Sequence, residues 1–157
     1  MPPQETIISR AQTNDAPEIL ALQKLAFLSQ AEIYDDYTLP PLVQTLQELE
    51  AEFNQYVFLK AMDGGRILGS VRAREQEGTC QIGRLIVHPD VQGQGLGTKL
   101  MAAIEAEFQE AKCFELFTGS LSHSNLRLYA KLGYEHIANE KVTPKLTVVT
   151  LHKPGAA

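Results

Sequence analysis

Apolar residues recur along the chain at spacings that switch between two and three-to-four residues, and the switches divide it into strands and helices. Thr6 to Arg10 is a short β-branched run that reads as a first strand. Asn14-Asp15-Ala16-Pro17-Glu18 supplies a cap residue, an early proline and a first-turn acid. A helix therefore starts here and runs to about Ser29, with Ile19, Leu22, Leu25 and Ala26 inward. From Ala31 to Pro41 the period is lost in a loop rich in tyrosine and acid: Glu32, Tyr34, Asp35, Asp36 and Tyr37. Pro40-Pro41 forces extended backbone before a second helix over Leu42 to Phe53.

Tyr56 to Ala61 and Ile67 to Arg74 are strands joined by the hairpin turn Met62-Asp63-Gly64-Gly65-Arg66. Glu77-Gly78 turns the chain again into the longest strand, Thr79 to Val87. An amphipathic helix with Leu96, Leu100, Ile104 and Phe108 on one side follows, then a buried strand over Cys113 to Thr118. Ser122-His123-Ser124 offers a cap for a short helix from Asn125 to Leu132, ended by Gly133. Tyr134 to Ala138 and Lys145 to Leu151 form a last antiparallel pair. The order β-α-α-β-β-β-α-β-α-β-β predicts an α/β domain, a mixed sheet flanked by helices, with one parallel crossover.

The 157 residues suit one domain, expected over 4–153 with a tail over 154–157. Hydrophobic content of 44% against 21% charged residues is that of a folded globular chain. A net charge of −5 argues against nucleic acid as partner, which requires clustered Lys and Arg. Cys80 and Cys113 lie in apolar segments without metal-ligand spacing, so reduced thiols and no metal site are expected. The start of the chain has neither the basic nor the apolar region of a signal peptide, and no run is long enough to span a bilayer. A cytoplasmic protein with no membrane partner is the expectation.

The chemistry concentrates between Val91 and Leu100, where Gly93, Gly95 and Gly97 alternate between a strand closed by His88-Pro89 and a helix. Glycines there expose backbone amides at a helix N-terminus, where a partial positive charge and unpaired N–H groups favour phosphate. The dinucleotide fingerprint fails, because Thr98 stands in its last glycine position and no acid follows at the required distance. The P-loop also fails, since Gly97-Thr98-Lys99 has the order wrong.

Gln92-Gly93-Gln94-Gly95-Leu96-Gly97 after Leu-Ile-Val-His-Pro resembles the acyl-CoA pyrophosphate motif of the GNAT superfamily of acyl-CoA N-acyltransferases. Asn125 to Tyr134 resembles that family's Asn…Tyr…Gly-Tyr segment, and Ile67-Leu68-Gly69-Ser70 its third strand. The resemblance implies a single-domain GNAT fold with a splayed sheet and acetyl-CoA as cosubstrate. It implies that Leu85, Ile86 and Val87 offer backbone groups to the pantetheine arm and acetyl carbonyl, and that Gln92 to Gly97 cradle the pyrophosphate. Thr98 and Lys131 are phosphate candidates, Asn125 would hold the pantetheine, and Tyr129 would sit at the thioester sulfur. A departing thiolate of pKa near 8.5 can take its proton from a tyrosine at about 10. The Val87 amide would stabilise the oxyanion. A homodimer is common in such families.

Freeing the lone pair of a primary amine of pKa near 10.4 at pH 7 costs about 4–5 kcal/mol, so a base is useful. The strand positions that often carry one hold Gln81, Gly83 and Arg84, none of them an acid. Glu75, His123 and the acids Glu32, Asp35 and Asp36 are the remaining candidates. The three acids with Tyr34 and Tyr37 read as a cation-receptive lid for the acceptor. The expected reaction is acetyl transfer to a small-molecule primary amine by direct attack through a tetrahedral intermediate. The rivals are a protein or peptide N-acetyltransferase and a non-catalytic acyl-CoA sensor.

Overall fold

The computed structural model describes residues 6–156. Its strands and helices are β1 (Ile7–Arg10), α1 (Ala16–Tyr34), α2 (Pro40–Val43), α3 (Leu46–Glu52), β2 (Val57–Asp63), β3 (Arg66–Gln76), β4 (Thr79–Val87), α4 (Leu96–Ala106), β5 (Cys113–Gly119), α5 (His123–Lys131), β6 (Glu135–Thr143) and β7 (Leu146–Pro154). The seven strands form one sheet in the order β1-β2-β3-β4-β5-β7-β6. Every neighbouring pair is antiparallel except β4 and β5, so the fold is the expected mixed α/β sheet.

Side chains alternate across the pleat and divide the core in two. Leu59, Val71, Ala73 and Ile82 pack on one face under Leu100, Met101 and Ile104 of α4. Phe58, Ile67 and Ile86 pack on the other under Ile19 and Leu22 of α1 and Leu49 of α3. Burying each large aliphatic side chain contributes about 1.5–3 kcal/mol. Glu105 fastens α4 to the far side of the sheet, accepting from Tyr134 Oη at 2.8 Å and from Lys153 Nζ at 2.8 Å.

Four expectations are corrected. First, α1 continues through Tyr34, because Ala31 and Tyr34 bury the next turn; Asp35 in the left-handed region (φ 49°) then ends it. Leu25, expected inward, is 41% exposed, and with Leu28 and Ile33 it leaves apolar groups on both sides of α1. That is why the period fades before the helix does. Second, the helix expected over Leu42 to Phe53 is two. Gln44 is extended, and Thr45 starts α3 with a capping box, donating its backbone N–H to Glu48 and accepting from the Glu48 N–H. Third, α4 stops at Ala106, and Phe108 packs on the core from the turn beyond it.

Fourth, the tail expected from Pro154 begins inside β7, where Pro154 pairs with Cys113, and the Gly155 N–H donates to Lys112 O at 2.8 Å. The domain start expected at residue 4 lies outside the described residues. Strands β6 and β7 run longer than their apolar content suggests. β6 is the edge of the sheet and exposed along almost all its length, so it carries no alternation to read.

Candidate functional site

Strands β4 and β5 pair only over Thr79↔Cys113, Cys80↔Phe114 and Gln81↔Glu115, after which they diverge. A bulge in β4 follows the last of these pairs. Gly83 pairs with Arg72 and Ile86 with Ser70, so Arg84 and Leu85 together oppose Val71, and Arg84 takes φ 52°. A bulge bends its strand and re-aims the residues beyond it. The opening is a cleft of about 1140 Å³ between α1, β4, the glycine turn and α5.

The backbone beyond the bulge faces this cleft in alternation. His88 donates its N–H to Leu68 O at 2.8 Å, toward β3. The neighbouring Val87 therefore turns its N–H and C=O the other way, toward the edge that β5 has left. Its carbonyl accepts from Gln92 Nε2 at 3.3 Å. Leu85 also lines the cleft. Ile86 pairs with Ser70 of β3 and lines it too.

The glycine turn lies at the mouth. Gly93 (φ 78°) and Gly95 (φ 85°) are in the left-handed region, and a Cβ at either would meet nothing within 4 Å. Glycine is needed there for conformation, and the space above the backbone stays open to a ligand. Gly95 is the N-cap of α4, so the first amides of that helix point into this space. Gln92, Gly93, Gly95, Leu96, Gly97 and Thr98 line the cleft, whereas Gln94 is exposed and does not. The residues present fit a pyrophosphate.

The opposite wall is α5. Asn125, Leu128 and Lys131 line the cleft at helical spacing. Tyr129 does not line it; it is only 6% exposed, and its ring meets Tyr134 edge-on with centroids 6.0 Å apart. Among the described residues only Thr6 Oγ1 and Arg72 Nε are fully buried without a hydrogen-bond partner. Tyr129 is buried, and its hydroxyl has no side-chain hydrogen-bond partner among the described residues. Burial raises its pKa above the ordinary tyrosine value, so it holds its proton.

Sequence reasoning missed the third wall. Ala26, Gln30 and Ile33 of α1 line the cleft together with Phe27 and Ser29. Their spacing, 26, 30 and 33, is that of one helical face and could have pointed to it. The cap expected within Ser122-His123-Ser124 falls on Ser122, which makes no side-chain cap hydrogen bond. Its Oγ lies 2.8 Å from Tyr34 Oη and donates to Gln30 Oε1 at 2.5 Å. Tyr34 Oη also accepts from the Leu121 N–H at 3.0 Å, which ties the end of α1 to the entry of α5.

The acceptor lid is placed differently from the expectation. Tyr34 is buried in that tie rather than displayed in a loop, and Glu32 lies on the exposed side of the last turn of α1. Asp36 accepts from the N–H and the hydroxyl of Thr38, which lowers its pKa, the side-chain bond contributing most. Asp35 lies 3.8 Å from Lys145 Nζ. None of Glu32, Tyr34, Asp35 and Asp36 lines the cleft, and neither does Glu75; His123 does. No group of residues suited to a metal ion occurs among the described residues, and no helix there is long and apolar enough to cross a membrane.

Comparison with solved structures places the chain among acetyltransferases in fold. It matches the ribosomal-protein-S18-alanine N-acetyltransferase of Escherichia coli with TM-score 0.80 and 16% identity, covering 97% of this chain and 96% of that one. It matches yncA of Salmonella typhimurium, solved with its cofactor acetyl-CoA, with TM-score 0.72 and 24% identity, covering 97% and 96%. The paia N-acetyltransferase of Thermoplasma acidophilum, solved in complex with coenzyme A, gives TM-score 0.77 and 13% identity, covering 95% and 98%. A curated relative, UPF0157 protein YqkA of Bacillus subtilis (strain 168), is 24% identical over 137 residues. The alignment spans 87% of this chain and only 39% of that relative. The model of the Acetyltransferase (GNAT) family matches residues 18–134, and the chain belongs to that family.

Proposed function

We propose that the protein transfers an acetyl group from acetyl-CoA to the primary amine of a small molecule by direct attack through a tetrahedral intermediate. The observation that carries this reading is the joining of two features in one cleft. Open helix-terminal amides at Gly95 stand at its mouth, and the outward-turned Val87 backbone, with Leu85 beside it, lies along its floor. The solved relatives with acetyl-CoA and coenzyme A support the same ligand class.

In this reading the amides from Gln92 to Thr98 hold the pyrophosphate, and Lys131 reaches a phosphate at the α5 wall. Asn125, with the Leu85 backbone opposite, fixes the pantetheine arm. The Val87 N–H donates to the carbonyl oxygen as it gains charge, which is worth most in a site that excludes water. Tyr129, kept protonated by burial, gives its proton to the departing thiolate, and the C–S bond breaks as the amide forms. His123 is the lining imidazole that can take the amine proton, directly or through water. Glu32, Asp35 and Asp36 act at a distance, drawing a cationic amine to this end of the molecule.

The test is thiol release from acetyl-CoA over a panel of small amines and peptides, with the product identified by mass. Acetylated small amines support the reading. Acetylation of peptides alone, or acetyl-CoA binding with no turnover, overturns it in favour of a peptide acetyltransferase or a sensor.

A further inference from the structure

Arg84 is the residue at which β4 bends, and it keeps φ 52° although glycine would sit there without strain. A left-handed backbone at a bulky residue costs about 1 kcal/mol or more and persists where its surroundings enforce it. Its side chain reaches the α1–α3 face of the sheet. There Nη1 donates to Gln44 Oε1 at 3.2 Å. Gln44 is held in that orientation by the fully buried Gln23, whose Nε2 donates to Gln44 Oε1 at 2.9 Å and to Pro41 O at 3.0 Å. A guanidinium has five donors, and Arg84 spends one of them among the described residues.

Behind it stands a second guanidinium. Arg72 is 8% exposed, pairs through Nη1 with Glu52 and stacks over Tyr56 at 4.3 Å. Its Nε is fully buried and unpartnered. One carboxylate, Glu52, thus faces two cations. Burial, and after it the repulsion from Arg72, lowers the Arg84 pKa to about 10. Charges removed from water are retained when they are paired, and a planar fork of free donors matches a carboxylate. Arg84 is not itself a lining residue of the cleft but borders it. Arg84 immediately precedes Leu85 and Ile86 of the cleft floor, and Gln23 lies one helical turn before Ala26 and Phe27 of its wall.

We propose that Arg84, backed by Arg72, is an anion subsite that receives the carboxylate of an amino-acid-like acceptor while its amine enters the cleft. The subsite rests on the acetyl-transfer reading for its role, but its existence can be measured separately. The probes are free L-amino acids and their primary amides, compared on the wild type, Arg84→Gln and Arg84→Gly. The glycine variant removes the guanidinium and relieves the left-handed strain, so it keeps the fold if the glutamine variant does not.

In the presence of acetyl-CoA, at least one amino acid raises the melting temperature of the wild type and its amide does not. Both variants lose that shift. Turnover obeys the same pattern: kcat/KM for the acid exceeds that for the amide by at least about tenfold, and the variants lose that preference through KM. Equal shifts for acid and amide, no shift with any acid, or a shift retained in both variants overturns the subsite. Thiol release with no preference for acids overturns it too, while leaving acetyl transfer standing. A carboxylate-dependent shift without thiol release keeps the subsite and overturns acetyl transfer.

Discussion

Tyr34 Oη and Ser122 Oγ meet at 2.8 Å across the head of the cleft, joining the last turn of α1 to the first residue before α5. The contact fixes two walls that no local sequence feature connects. It also explains Gly119, where a Cβ would lie 1.8 Å from the Tyr34 hydroxyl. Tyr34→Phe removes the partner of both Ser122 and the Leu121 N–H, and we expect a loss of about 1–3 kcal/mol in unfolding free energy. Weaker acetyl-CoA binding accompanies it. Denaturant melts and calorimetry check both, and an unchanged midpoint with unchanged affinity would show the tie to be idle.

Gly119→Ala attacks the same joint by overpacking. The expected cost is about 1–3 kcal/mol, read as a lower melting temperature. A variant as stable as the wild type contradicts the close approach of Tyr34 to β5.

Tyr129→Phe keeps the ring against Tyr134 and removes the proton donor. The maximal rate should fall at least about tenfold, with acetyl-CoA affinity and folding stability unchanged. Because burial raises the Tyr129 pKa in the fold, its deprotonation does not limit kcat below about pH 10. Steady-state rates over a pH series decide; wild-type turnover in the variant removes Tyr129 from the chemistry.

Cys80 is sealed in the core and its thiol is pushed up to about 12, chiefly by burial and then by Glu75 and Glu105, whereas Cys113 is half-buried. A maleimide at pH 8 should label Cys113 alone and reach Cys80 only on unfolding. The unfolded thiol ionises near 9 while the folded one stays protonated, so this contribution to stability is lost as pH rises from about 9 to about 12. Cys80→Ala should flatten that part of the pH–stability curve; an identical slope in the variant contradicts the shift.

The strands, the glycine turn and the Asn125–Tyr134 segment were legible because each depends on neighbours in sequence: pleat alternation, a cap, a left-handed glycine. The acetyltransferase family was legible for the same reason. The features that escaped the sequence depend on distant partners. Nothing local announces that Arg84 takes φ 52°, since the bulge is set by its register against Val71. The last turn of α1 was lost because Tyr34 bonds to Ser122 and to the Leu121 N–H, far along the chain, while Leu25 and Leu28 stay exposed. The acids of the Glu32–Asp36 stretch looked like a lid in isolation. In the fold Asp36 serves Thr38 and Asp35 lies by Lys145, and the cleft is walled by Gln30 and Ser122 instead.

In the proposed function the turn at Gly95 admits an acyl-CoA into the cleft from which the acetyl group is passed on. Gly95→Glu puts bulk and negative charge into open space that the wild type leaves above a left-handed backbone. Calorimetric titration with acetyl-CoA, run beside thiol release with the best amine of the panel, tests this directly. Binding and turnover are expected in the wild type, and neither in a folded Gly95→Glu. Acetyl-CoA binding retained by the variant would contradict that function.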